Sequence, residues 1–73
     1  MNPMLHIRTV VFRVTQDEMG QIAGAGQAAV SRWENDATAP TRKQLGRIRA
    51  EAMRRGLVWD DSWFFEAPVE AAE

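Results

Sequence analysis

Gln27, Ala28, Ser31, Arg32 and Asn35 recur at spacings that place them on one side of a helix. Their side chains suit reading a surface better than reacting with it. Gln27 offers a donor and an acceptor together, the pair that matches the N6 and N7 edge of adenine. The small residues Ala28 and Ala29 let such a helix approach a groove floor closely. Reactive chemistry is thinner. His6 is the only histidine, and a lone histidine on a helix more often packs or faces water than acts as a base or ligand. Asp60 and Asp61 are adjacent, so their side chains diverge and make a poor metal pair. No cysteine is present, which removes disulfides and thiolate metal sites. No nucleophile stands near a base, and Gly24-Ala25-Gly26 is a turn signal too short for a dinucleotide fingerprint. The expectation is a chain that is not an enzyme and needs no metal or cofactor.

The reading residues need two helices to hold them. Thr15 followed by Glu18 is a capping box for the first. Met19, Ile22 and Ala23 then form a buried stripe, and Gly20 stands where a side chain would keep a crossing helix away. Gly24 is placed to end this helix in a left-handed conformation that glycine adopts cheaply. The second helix runs from about Gln27, with Val30 and Trp33 facing inward.

The stretch Thr15 to Asn35, TQDEMGQIAGAGQAAVSRWEN, resembles the lambda-repressor-like (Cro/CI-type, or xenobiotic-response-element) helix-turn-helix family. Thr15, Gln16, Met19, Gly20, Ala23, Gly24, Gln27, Val30, Ser31, Arg32, Trp33, Glu34 and Asn35 match its pattern in order and spacing. A looser likeness covers about Asn2 to Arg55. The resemblance implies an all-α, four- to five-helix DNA-binding domain. It implies that Gln16 touches phosphate and braces Gln27, that Gln27, Ala28, Ser31 and Arg32 meet base edges or backbone, and that Asn35 binds phosphate. It also implies that Glu34 pairs with an arginine of the first helix, Arg8 or Arg13. Three features depart from the pattern: the turn Gly24-Ala25-Gly26 stands where a larger apolar residue and then a Ser or Thr cap are usual, Asp36 stands where a glycine commonly ends the second helix, and the first helix carries the β-branched Thr9, Val10, Val11 and Val14.

The charge of −1 hides an uneven distribution. Residues 1–56 hold all nine basic residues against five acidic ones, a net of +4, and residues 57–73 hold five acidic residues and no basic one. Such asymmetry points toward nucleic acid, although arginines and lysines are also ordinary solvated surface. Seventy-three residues suffice for one small core. No apolar run approaches a membrane span and the N-terminus lacks a secretory pattern, so a cytoplasmic protein is expected.

Around the two helices, Asn2 and Pro3 suit a helix start, with Met4, Ile7, Val11 and Val14 as its stripe and Val10 beside it. A strand over Thr9 to Val14 competes, because its β-branched residues favour one. A loop is expected from about Asp36 to Pro40. Thr41 with Gln44 then boxes a helix of about Arg42 to Arg55, striped by Leu45, Ile48, Ala52 and Met53 and stopped at Gly56. Arg42 and Lys43 begin it where related folds place phosphate contacts. Residues 1–56 thus read as a DNA-binding domain and 57–73 as an aromatic and acidic extension. Within it Trp59, Trp63, Phe64 and Phe65 either complete the core or form a dimer interface, around a short helix capped by Asp60 or Asp61. The tail after Pro68 is expected to be disordered.

The functional expectation is a sequence-specific, DNA-binding transcription regulator, a repressor acting as a homodimer on a palindromic operator of double-stranded DNA. Two alternatives stand beside it. One is an antitoxin-like autorepressor whose aromatic tail grips a toxin as protein partner. The other is a protein-interaction module that keeps the fold without binding DNA.

Overall fold

The computed structural model describes residues 2–65. These form an all-α arrangement with no strand among the described residues: α1 (Pro3–His6), continued without a break by a π-wound turn (Ile7–Phe12), then α2 (Gln16–Ala23), α3 (Gln27–Glu34), α4 (Arg42–Arg54) and a 3-10 turn (Asp61–Phe64). No helix among them is long and apolar enough to cross a membrane. The expected disordered tail after Pro68 lies outside the described residues.

The first helix starts as its sequence predicts. Asn2 Oδ1 accepts from the Leu5 N–H at 3.0 Å, with Pro3 in the first turn. Its second half departs from the expected α stripe and from the competing strand. Thr9, Val10 and Val11 crowd an α turn through their branched Cβ atoms, and a wider i→i+5 turn spreads that crowding. A five-residue step stacks Ile7 over Phe12, and both are buried. Phe12 therefore takes the innermost place expected of Val11, while Val11 and Val14 pack at the edge and Val10 faces solvent. Arg13 closes the turn with a left-handed backbone, φ 59°, its N–H donating to the Arg8 carbonyl.

The core joins Met4, Ile7 and Phe12 to Met19 and Ala23 of α2, Val30 and Trp33 of α3, and Ile48 and Ala52 of α4. Met53, expected on the α4 stripe, is 52 % exposed. The buried stripe narrows to Ile48 and Ala52, with Leu45 half-buried, because the chain reverses at Gly56 (φ 69°) and, among the described residues, nothing folds back over Met53. After the reversal the aromatic extension returns to the core. Trp63 stands edge-on to buried His6 at 5.3 Å, and Trp59 packs against Phe64 at 5.0 Å and Phe12 at 6.4 Å. Asp60 caps the 3-10 turn through the Ser62 N–H, and Asp61 accepts from the Trp59 indole and from Arg49. Trp59, Trp63 and Phe64 thus complete this chain's own core, whereas Phe65 is 80 % exposed.

Candidate nucleic-acid interface

The geometry of α2 and α3 depends on two glycines. A Cβ on Gly20 would stand 2.8 Å from the Gly26 carbonyl carbon and 3.0 Å from its oxygen, so only glycine lets the turn lie this close to α2. Gly24 ends α2 with φ 76°, and the Ala25 N–H returns to the Gly20 carbonyl at 2.7 Å. The Arg47 guanidinium of α4 lies against Gly24, in space that any side chain there would occupy. Positive charge at that point favours the C-terminal end of α2. At the other end of α2 the Thr15 hydroxyl accepts from the Glu18 N–H at 3.1 Å. The reciprocal half of the expected box is not formed, because the Glu18 carboxylate faces Arg55 at 3.6 Å instead.

With Val30 and Trp33 buried, α3 turns Gln27, Ala28, Arg32 and Asn35 outward, and Ser31 lies half-buried between them. Gly26 caps α3 through its backbone alone. The helix ends in a left-handed turn at Asp36, φ 60°, the position where glycine is usual, and the Ala37 N–H reaches back to the Arg32 carbonyl at 3.0 Å. Asn2 holds this end in place, its amide donating both to the Trp33 carbonyl and to the Asp36 carboxylate. The Asn35 amide donates to the Ser31 carbonyl at 2.8 Å, so that side chain also serves the end of α3.

A chain of hydrogen bonds runs from the first helix to the outer face of α3. Of the two arginines open to Glu34, Arg8 is the one used, through both Nε and Nη2, the latter at 3.1 Å. Arg8 Nη1 also donates to the Val14 carbonyl at 3.0 Å, tying the π-wound turn to the start of α2. Glu34 Oε1, which accepts from Arg8 Nη2, also accepts from Gln16 Nε2 at 3.0 Å, and Gln16 Oε1 in turn accepts from Gln27 Nε2 at 3.5 Å. Glu34 is 7 % exposed and Arg8 17 %. The carboxylate thus sets the orientation of Gln16, and Gln16 takes one of the two protons of the Gln27 amide. The other N–H and the carbonyl of Gln27 remain to present a donor and an acceptor side by side.

Arg42 and Lys43 are exposed in the first turn of α4, behind a complete capping box between Thr41 and Gln44. No acid stands in that turn, although a helix N-terminus favours negative charge. Ion pairs sort the basic residues into two groups. Arg8, Arg49, Arg54 and Arg55 each meet a carboxylate, whereas Arg13, Arg32, Arg42, Lys43 and Arg47 meet none among the described residues. Glu51 bonds Arg54 first and Arg55 second, and these guanidinium groups lower its pKa to about 2. The Ser62 N–H and hydroxyl hold Asp60 below the ordinary carboxylate range.

The roles of Arg47 at the end of α2 and of Asn2 at the end of α3 escaped the sequence reading, since both depend on contacts between elements. Comparison of the chain with protein-family models, with curated proteins and with solved structures returns no match.

Proposed function

We propose that this chain is a lambda-repressor-like, helix-turn-helix DNA-binding protein that inserts α3 into the major groove of double-stranded DNA. The observation that carries this reading is the linked set Arg8–Glu34–Gln16–Gln27. It fixes the plane of an exposed amide whose free donor and acceptor suit adenine N7 and N6. An exposed glutamine with no task beyond solubility would not need a half-buried ion pair behind it. Ala28 leaves room for the groove floor and Ser31 lies beside it. Arg32, Arg42 and Lys43 are free to neutralise phosphates. In this account the protein acts in the cytoplasm as a homodimer on an inverted repeat, because one such module buries only about 600–1,000 Å² on DNA. It represses by occluding a promoter. Trp59, Trp63 and Phe64 belong to the protomer's own fold, which leaves Phe65 as the aromatic available to a partner.

Salt dependence tests the reading. If Arg32, Arg42 and Lys43 each neutralise one phosphate, log K falls against log salt with a slope of about −2.7 per protomer and about −5 for a dimer. Replacing both Arg42 and Lys43 by Gln reduces the slope by about 2 per protomer. An affinity that does not change with salt refutes DNA reading through this face.

A further inference from the structure

Five basic residues meet no carboxylate among the described residues, and four of them already have a task. Arg32, Arg42 and Lys43 are assigned to phosphate above, and Arg47 lies against Gly24 at the end of α2. Arg13 is the fifth. It is exposed, and Glu34, which the sequence left open to Arg8 or Arg13, is taken by Arg8. Only the backbone of Arg13 is engaged among the described residues, its N–H donating to the Arg8 carbonyl. That backbone is left-handed, φ 59°, a conformation in which the Cβ of an L-residue crowds the following carbonyl oxygen. The chain uses glycine for the same conformation at Gly24 and Gly56. Asp36 is the other non-glycine residue with positive φ, and its carboxylate accepts from Asn2. Arg13 thus carries a conformational cost that no side-chain contact inside the described fold offsets. Strain of this kind gathers where a side chain meets something outside the fold.

Arg13 stands at the edge of the reading apparatus. Val14, next in the chain, gives its carbonyl to Arg8 Nη1 at 3.0 Å, which ties this corner to the pair with Glu34. Gln16, three residues on from Arg13, accepts from Gln27 through its Oε1. Three residues span at most about 11 Å between Cα atoms, within the width of about 12 Å of a major groove. The two acids that follow Gln16 are engaged elsewhere, Asp17 with Gln21 at 3.3 Å and Glu18 with Arg55 at 3.6 Å.

We propose that Arg13 is a phosphate contact of the DNA-bound protein, holding the strand that passes beside Gln16. The proposal rests on the DNA-reading account and adds a residue to that same face. A planar guanidinium suits a phosphate through two parallel N–H donors. Phosphate contacts position a protein on the duplex without reading sequence, so Arg13 governs affinity and not base choice. A fourth such contact raises the expected salt slope from about −2.7 to about −3.6 per protomer.

The test compares Arg13→Gly with wild type in the full chain, because an arginine that supports the fold and one that meets phosphate predict opposite results. Glycine relieves the crowding, so the Tm of the variant should equal or exceed that of wild type. Its affinity for random-sequence duplex at about 0.1 M salt should fall about three- to tenfold, with the salt slope reduced by about 0.9 per protomer. Arg13→Lys should keep the wild-type slope. Arg54→Gln removes the same charge from an arginine paired with Glu51, and it should also keep that slope. If wild type binds and Arg13→Gly shows an unchanged slope, the proposal alone is overturned. An equal drop in Arg54→Gln shows that the effect is bulk charge and overturns it too. A Tm several degrees below wild type shows that the side chain serves the fold, which overturns the reasoning from strain. If wild type itself binds no duplex, the DNA-reading account fails and this contact fails with it.

Discussion

Glu34 is the residue whose replacement should separate folding from reading. Its carboxylate is 7 % exposed and accepts three hydrogen bonds, two from Arg8 and one from Gln16. Glu34→Leu removes the acceptor and leaves a guanidinium that is only 17 % exposed without its counter-charge. Breaking a fully buried pair costs about 3–5 kcal/mol. Arg8 keeps some water, which lowers the expectation here to about 2–4 kcal/mol. A domain of this length has roughly 4–11 kcal/mol in total, so over all but the low end of that range the variant should still fold, while its Tm falls by about 13–26 °C. Replacing both partners, as Arg8→Met with Glu34→Leu, removes the stranded charge and should restore most of the loss, giving a coupling of about 2 kcal/mol. The double variant still lacks the group that orients Gln16 and, through it, Gln27. Stability should therefore return while base preference does not. Denaturant titration followed by circular dichroism measures the first, and competition between duplexes measures the second. A single variant within about 0.5 kcal/mol of wild type, or a coupling near zero, would refute the assignment of this pair as a buried link.

Other substitutions test the supporting geometry. Gly20→Ala should destabilise by about 1–3 kcal/mol, because its Cβ meets the backbone of Gly26, which cannot yield as a side chain would; an unchanged melting temperature contradicts the close approach. Gly46→Ala should stabilise by about 1 kcal/mol, since nothing lies within 4 Å of the added methyl on an exposed turn of α4, and a lower Tm would show that the space is not open. The Glu51 carboxyl is held at about 2 by Arg54 and Arg55, below its ordinary value of 4.5, so its contribution is complete above pH 4.5 and is lost as pH falls toward 2. Across that window wild type should lose stability more steeply than Glu51→Gln, and parallel curves would refute the pairing.

What was legible in the sequence was local. Asn2, Thr15, Thr41 and Asp60 each cap a helix through bonds spanning two or three residues. Gly20, Gly24 and Asp36 stand where a close approach or a left-handed backbone is required. What was hidden depended on winding or on distant neighbours. A 3.6-residue period cannot find Phe12, because the turn that buries it steps by five. Met53 has the right spacing for burial but no element among the described residues to cover it. Both Arg8 and Arg13 could have served Glu34, and the choice followed from the π-wound turn, which aims Arg8 inward and leaves Arg13 exposed at its end. The outward face of α3 was readable in advance, and the resemblance supplied Gln16 as the brace of Gln27, whereas the Gln16–Glu34 bond that joins this brace to Arg8 required two other helices to be placed.

The most direct measurement is selection of bound sequences from a random duplex pool, run in parallel with wild type and Gln27→Ala. The account predicts an enriched inverted repeat with half-sites about 34 Å apart, and a preference at one base pair of each half-site that relaxes by about 1–3 kcal/mol in the variant. No enrichment at low salt, or an identical motif from both proteins, would contradict the claim that Gln27 on α3 reads DNA.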